Sequence, residues 1–221
     1  MSELEINVGH CRGRQGRLLE VMQEKQLDAV ILNRTEHVQW LTGPKFWWMF
    51  EVAAAISADG QVILVAPERR IPEVHAADEL ATYDAQWCST VRNDQREASS
   101  RVLLDALAKR GSVSRVGTEF SCCGPHFTAR LEAEWVDVEP DLYRLRRRKD
   151  PDELARVKKA IAGTESMYRK AREIMRPGIN ELEIFNELQS AAVREYGEML
   201  TGTGNDYRSG ERGGPPRDRA A

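Results

Sequence analysis

The sequence predicts a mixed α/β fold, a sheet of parallel and antiparallel strands flanked by helices, and three observations carry that expectation. Wholly apolar runs alternate with amphipathic segments of helical period. The runs are five to seven residues long, the length of buried strands. Two consecutive runs are joined by a short link ending in glycine, the mark of a hairpin. Alternating elements with one antiparallel pair imply a mixed sheet covered by helices.

In order, residues 13–26 carry Leu18, Leu19, Val21 and Met22 among Arg, Gln, Glu and Lys, which predicts a short amphipathic helix. DAVIL (28–32) reads as a buried strand. NRTEHVQWLTG then gives a turn, a short helix and a stop at Gly43, with Asn33 and Thr35 as alternative caps. EVAAAIS and QVILVAP, linked by Ala58-Asp59-Gly60, are the central strands. A helix is expected around 69–79, a strand near 80–84, a helix over 94–110, a strand over 113–118, a helix over 125–133 and a strand over 134–138.

Residues 142–149, LYRLRRRK, hold five basic residues in eight and give way abruptly to DPDEL. This predicts a domain over 1–141, a basic linker over 142–149 and a second region over 150–221. Asp150 suits a helix cap, Pro151 its first position, and Asp152 and Glu153 its positive end. From there Leu154, Val157, Ile161, Thr164, Tyr168, Ala171 and Met175 recur at alternating steps of three and four, a stripe of about six turns. Pro177-Gly178 ends that helix over 152–176. A second, over 180–196, starts from Asn180 with Glu183 three residues on, and presents Leu182, Phe185, Leu188 and Ala192 on one side. The two are expected to form an antiparallel pair. From Gly197 to Ala221 there are six Gly and two Pro in 25 residues. Such a segment buries too little to offset its ordering entropy, so it is expected to be disordered unless neighbours hold it.

Composition narrows the function classes. Lys and Arg total 32 against 35 Asp and Glu, a net charge of -3, so no basic field favours nucleic acid or anionic lipid. The N-terminus, MSELEINVGH, carries acids where a secretory signal would carry Lys or Arg. The longest apolar stretch, Phe46 to Ala58, is interrupted by Glu51 and falls short of the roughly 20 residues that cross a bilayer. A cytoplasmic protein with no nucleic-acid or membrane partner is expected. Its four cysteines, Cys11, Cys88, Cys122 and Cys123, then read as free thiols.

Few residues suggest chemistry. Cys122-Cys123-Gly124-Pro125-His126 invites a metal or a Cys/His nucleophile, but no second Cys or His cluster completes a tetrahedral zinc site, and buried structural cysteines are the plainer reading. GTGNDY (202–207) is no dinucleotide loop, because the third glycine position falls on Tyr207 and no strand leads into it. RSGERGGPPRDR has four Arg nearly balanced by Asp206, Glu211 and Asp218, too little field for RNA. Phe46-Trp47-Trp48-Met49-Phe50 concentrates two of the five Trp in one pentapeptide. Trp47 and Trp48 are therefore the candidate residues, as a core or subunit-interface plug or as a platform for an apolar ligand.

The order RLLEVMQEKQLDAVILNRTEHVQWLTG, an aromatic segment, then VAAAISADGQVILVAP resembles the N-terminal domain of the creatinase, prolidase and aminopeptidase P family. LRRRKDPDELARVKKAIAGTESMYRKAREIMRPGINELEIFNELQ resembles the start of that family's pita-bread metallopeptidase domain. The resemblance implies a ribonuclease-H-like N-terminal domain followed by an α+β two-metal hydrolase domain. In the latter, two Asp, one His and two Glu hold two divalent ions (Mn, Co or Zn), and a bridging hydroxide attacks the scissile carbonyl. It also implies Xaa-Pro peptides or small molecules such as creatine as substrates, and a homodimer formed through the N-terminal domain.

In the family those ligands all lie downstream of the segment that GTGNDYRSGERGGPPRDR resembles. The His that often follows the family's Asn falls, counted from Asn205, on Gly210, and the last His of this sequence is His126. The chain is therefore expected to hold the N-terminal domain and a truncated start of the second, with no catalytic residue, no metal ligand and no cofactor of its own. The rival expectation is a stand-alone, non-catalytic dimerisation or ligand-binding module.

Overall fold

The computed structural model describes residues 6–88 and 90–200. The chain divides into two compact units, Met1–Asp152 and Glu153–Ala221. The two motifs of the Gly-rich tail beyond residue 200, GTGNDY and the Arg-Gly run, lie outside the described residues.

The first unit is built on a six-stranded mixed sheet. Its strands are β1 (Ala29–Leu32), β2 (Ala53–Ser57), β3 (Val62–Pro67), β4 (Glu79–Tyr83), β5 (Arg115–Thr118) and β6 (Glu134–Asp137). They lie in the order β4-β3-β2-β1-β5-β6. The pairs β1–β2 and β2–β3 are antiparallel, and β1–β5, β3–β4 and β5–β6 are parallel. The hairpin at Ala58-Asp59-Gly60 sets the β2–β3 register, Ala54 opposite Leu64 and Ile56 opposite Val62.

Strand side chains alternate between two cores. Val30, Leu32, Ala54, Ile56 and Leu64 face α1 (Val8–Lys25), α2 (Thr35–Thr42) and α5 (Glu139–Arg147). Ala29, Ile31, Ala55, Ile63 and Val65 face α3 (Gln95–Ala108) and the short α4 (Pro125–Thr128). Burial on both faces explains why the strands read as unbroken apolar runs rather than as alternating ones. Gly117 in β5 is dictated by space, since a Cβ there would stand 2.8 Å from both Leu27 and Val138.

Local signals account for most boundaries. Asn7 caps α1 by accepting from the His10 amide at 3.0 Å, and Asp94 caps α3 by accepting from the Glu97 amide at 3.0 Å. Three expectations are corrected. In place of a helix over 69–79 there is one 3-10 turn, Glu68–Arg70. Pro72 disfavours a helical Ile71, and the chain is then drawn toward β4 by bonds from the Ala76 amide to Thr42 and from the Asp78 amide to Val62. The helix expected over 125–133 stops at Thr128, with Phe127 its one buried residue. Neither Asn33 nor Thr35 caps α2; the capping carboxylate comes from Glu119, at the end of β5. The basic stretch at 144–147 forms the last turn of α5, which is anchored by the fully buried Leu142.

The second unit is the antiparallel pair α6 (Pro151–Ile174) and α7 (Glu181–Tyr196). Lys159 donates to the Glu195 carbonyl at 3.0 Å, the Tyr196 hydroxyl to the Ala160 carbonyl at 2.8 Å, and Lys170 pairs with Glu187. Ile184, Leu188 and Ala192 are buried, as are Gly163 and Ser166 of α6. Gly163 is needed here because a Cβ would run into the Tyr196 ring. The apolar stripe that marked α6 in the sequence is not its packing face: Leu154, Val157, Ile161, Tyr168 and Met175 are exposed. Of the residues grouped on one side of α7, Leu188 and Ala192 are buried and Leu182 is exposed.

One acid sets a pH limit on the sheet. Asp28 Oδ2 accepts from the Ser114 amide (2.7 Å), the Ser114 hydroxyl (2.8 Å) and the Arg115 amide (2.9 Å), tying the start of β5 to β1. These bonds hold its carboxyl below the usual range. The group's contribution is therefore fully present above the ordinary Asp value of about 4 and is lost as pH falls through the lower folded value. Urea midpoints should fall on acidification below about pH 4. Asp28→Asn should cost about 1 kcal/mol at pH 7 and flatten that fall, whereas an unchanged acid slope would contradict the assignment.

Candidate functional site

The sheet's C-terminal edge brings two features together around α2. The first is the aromatic loop that follows it. Gly43, at φ +103°, stops the helix, and its missing side chain makes room for Ile6. Phe46 and Phe50 turn inward and are buried, and the Phe50 amide bonds the Trp47 carbonyl at 3.0 Å. Between them Trp47 and Trp48 point outward, 60% and 84% exposed. The loop's far side is held by the buried Gln95, whose Nε2 donates to the Met49 carbonyl (3.1 Å) and whose Oε1 accepts from the Glu51 amide (3.3 Å). The Tyr83 hydroxyl, 2.7 Å from the Glu51 carbonyl, completes the anchor, and burial raises its pKa. The two candidate tryptophans are thus displayed on a pinned loop rather than used as core.

The second feature is a polar cluster that holds α2 in place. At its N-terminal end Glu119, fully buried, accepts from the Asn33 amide (2.8 Å) and the Arg34 amide (3.1 Å) through Oε2 and meets His37 Nδ1 through Oε1. The His37 ring stands edge-on to Tyr143, 5.6 Å between centroids. Tyr143 in turn donates to Glu139 (3.1 Å), which also accepts from the Ser121 hydroxyl (2.7 Å); that bond holds the Glu139 carboxyl below its usual range. At the C-terminal end of α2, Arg14 Nε donates to the Trp40 carbonyl (2.7 Å) and Gln15 Nε2 to the Leu41 (3.0 Å) and Ala76 (2.8 Å) carbonyls. No motif announced Glu119, His37, Arg14 or Gln15; a charged residue inside an apolar or helical run, as in VGTEF, is the one sequence sign of a buried partner.

The cysteine group does not form a reactive site. Burial, reinforced by the Glu119 carboxylate, pushes the Cys122 thiol up to about 11, and burial raises Cys123 as well, so neither is a thiolate near neutrality. His126 pairs with Asp94 at 3.3 Å. All four cysteines are free thiols.

Nor do the acids at the start of α6 suit a divalent ion. Asp152 is buried and meets Arg14 at 3.1 Å and His10 at 3.0 Å, and Asp150 is paired with Arg17 at 2.8 Å. Bound guanidinium already supplies the positive charge that a cation would bring. Among the described residues no other group of three or more His, Cys, Asp or Glu side chains is close enough to hold a metal. None of the described helices is long and apolar enough to cross a membrane.

Known proteins share this architecture. Residues 14–148 match the family model for the creatinase/prolidase N-terminal domain. A curated relative, an uncharacterized hydrolase/peptidase of Sinorhizobium fredii, is 23% identical over 93% of this chain and 53% of its own length. A Xaa-Pro dipeptidase from Bacillus anthracis superposes with a TM-score of 0.66 at 15% identity, over 84% of this chain and 49% of that one. An X-Pro aminopeptidase from Thermotoga maritima gives 0.61 at 16% identity, over 82% and 49%. The chain spans about half the length of each of these relatives. The two structural likenesses are likenesses of fold, and the family match covers more than half of the sequence: the chain belongs to the creatinase/prolidase N-terminal domain family.

Proposed function

We propose that the chain supplies the N-terminal part of a Xaa-Pro peptidase-type metallohydrolase and carries no hydrolytic centre of its own. The observation that supports this most is a fold shared over 84% of this chain with a Xaa-Pro dipeptidase of which it spans only 49%. In this reading residues 1–141 are the N-terminal domain, 142–149 its basic exit and 150–221 the start of the second domain. Two divalent ions, Mn, Co or Zn, and the residues that bind them belong to the whole enzyme; the acids at 150 and 152 are already committed to arginine. The reading places the protein in the cytoplasm. The purified 221-residue chain, supplied with manganese, cobalt or zinc, is expected to release no proline from Xaa-Pro dipeptides. Turnover by a preparation of the correct intact mass would overturn the proposal.

A second reading, a non-catalytic module for self-association or ligand binding, is favoured by the display of Trp47 and Trp48 between the buried Phe46 and Phe50, on a loop whose far side Gln95 holds. Large exposed aromatics are costly to leave in water and typical of interface hot spots. Here the pair covers a second copy or an apolar group of a substrate. Trp47→Ala combined with Trp48→Ala should then weaken self-association at least tenfold, as read by sedimentation, or abolish binding of an apolar peptide. A variant that associates and binds like the parent chain would count against this role.

A further inference from the structure

A cavity of about 560 Å³ opens on the side of the sheet that α3 covers, the face opposite α2. Its floor is apolar, made by Leu104 and Leu107 of α3, Val113 ahead of β5 and Leu131 beyond α4. Leu107 is buried and the other three pack, half-buried, against the core beneath, so the floor is fixed by the fold itself. An apolar floor of this extent with a few polar groups at its rim is the usual build of a small-molecule site.

The rim supplies those polar groups, and their charges indicate the ligand. Arg101 and Arg130 both line the cavity, and both turn to the same oxygen of Glu97, Arg130 at 2.6 Å and Arg101 at 3.7 Å. One carboxylate thus serves two guanidinium groups, and one positive charge is left over. Asp105, one helical turn beyond Arg101 on the same wall, has no salt-bridge partner among the described residues. Helix geometry accounts for that choice. An acid four residues before a base pairs better than one four residues after it, so Arg101 is drawn back to Glu97 and away from Asp105. The C-terminal end of α3, at Ala108, adds its partial negative charge on the Asp105 side. The cavity therefore presents a positive end, a negative end roughly 5–6 Å along the helix, and an apolar floor beside both. An inorganic anion would leave the floor and Asp105 unmatched. A fatty carboxylate would cover the floor and still leave Asp105 without a cation, and an apolar amine would do the same to the arginines. A carboxylate and an ammonium carried together on an apolar body match all three features. We propose that this cavity binds a free apolar amino acid, with its carboxylate at Arg101 and Arg130, its ammonium at Asp105 and its side chain on the leucine floor.

The site lies wholly within the first unit and does not depend on the hydrolase reading, because binding is measured and not turnover. The test is a titration of the isotope-labelled 221-residue chain with leucine, followed by nuclear magnetic resonance at the amides of Gly111, Ser112 and Val113, which line the cavity. Saturable shifts with a Kd of about 1 mM or tighter are expected. Two probes with the same branched body separate the charges: isocaproate lacks the ammonium and isoamylamine lacks the carboxylate. Each should bind about three- to tenfold more weakly than leucine. Asp105→Asn should erase the advantage of leucine over isocaproate, and Arg101→Gln should reduce its advantage over isoamylamine. Both side chains are exposed, so the amide spectrum should show the fold kept. Absence of saturable shifts at these three amides up to about 10 mM leucine, equal affinity for the three probes, or an Asp105→Asn chain that still prefers leucine to isocaproate would each overturn the proposal.

Discussion

Replacing Arg14 with methionine is expected to cost about 3–5 kcal/mol, a large part of the roughly 5–15 kcal/mol that holds a domain of this kind together. The side chain is 2% exposed and every polar end of it is used. Nε donates to the Trp40 carbonyl at 2.7 Å, and the two terminal nitrogens meet Asp152 at 3.1 and 3.2 Å, Asp150 at 3.3 Å and the Cys11 sulfur at 3.0 Å. Burial alone works against the charged form, but Asp152 and Cys11 outweigh it and raise its pKa. Methionine fills similar volume and leaves Asp152 buried beside His10 with its principal partner gone, which is the expensive half of a broken ion pair. Arg14→Lys keeps the charge but loses the planar fork, and should recover less than half of the loss. Removing both ends, Arg14→Met with Asp152→Leu, should recover more than Arg14→Lys does. Urea unfolding of the four proteins decides it: a loss below about 1 kcal/mol for Arg14→Met would show that the buried network carries little stability.

The contrast between what the sequence disclosed and what it hid follows from which interactions are local. Strands announced themselves because a strand covered on both faces has to be apolar at every position, as AVIL and VILVAP are. Asn180 was readable as a cap because it bonds an amide two residues on, while Asn7 and Asp94, which cap in the same local way, were not picked out. Glu119 was not, because it caps a helix that begins more than 80 residues earlier. The helix expected over 69–79 failed where tertiary pairing with β3 and Pro72 outweighed propensity. The stripe of α6 disclosed the helix but not its contact with α7. Helical period was read correctly, but a periodic apolar face only says that something should cover it, and the hairpin's close approach was arranged instead by Gly163, Ser166 and Ala192. Trp47 and Trp48 were legible as a concentration of aromatics, while their outward direction depended on the inward turn of Phe46 and Phe50 and on Gln95, 45 residues and more downstream.

Glu119→Ala is the second substitution with a large expected effect, about 3–4 kcal/mol, and it connects stability to the aromatic loop. The carboxylate is fully buried, and its removal strands the Asn33 and Arg34 amides and His37 Nδ1 and costs the Cys122 thiol its weaker bond at 3.5 Å. Each stranded group contributes a desolvation penalty of up to about 1–3 kcal/mol, largest at the fully buried His37 and smaller at the half-buried Asn33 and Arg34. Glu119→Gln separates charge from hydrogen bonding. Its amide oxygen can still take one backbone N–H and its amide nitrogen can donate to a neutral His37, so the loss should shrink to about 1–2 kcal/mol. In a double-mutant cycle with His37→Leu, the coupling should reach at least about 1 kcal/mol, because the two side chains share one bond inside the core. The consequence extends along α2, which is only eight residues long and leads directly into Gly43 and the aromatic loop. With its N-terminal anchor gone and Arg14 and Gln15 still holding Trp40 and Leu41, the helix should fray from Asn33 toward His37 first. Amide exchange at Asn33 and Arg34 should therefore rise far more than at Leu41 and Thr42 in Glu119→Gln, while equal acceleration along the helix would mean that Glu119 serves the sheet as a whole rather than the placement of α2.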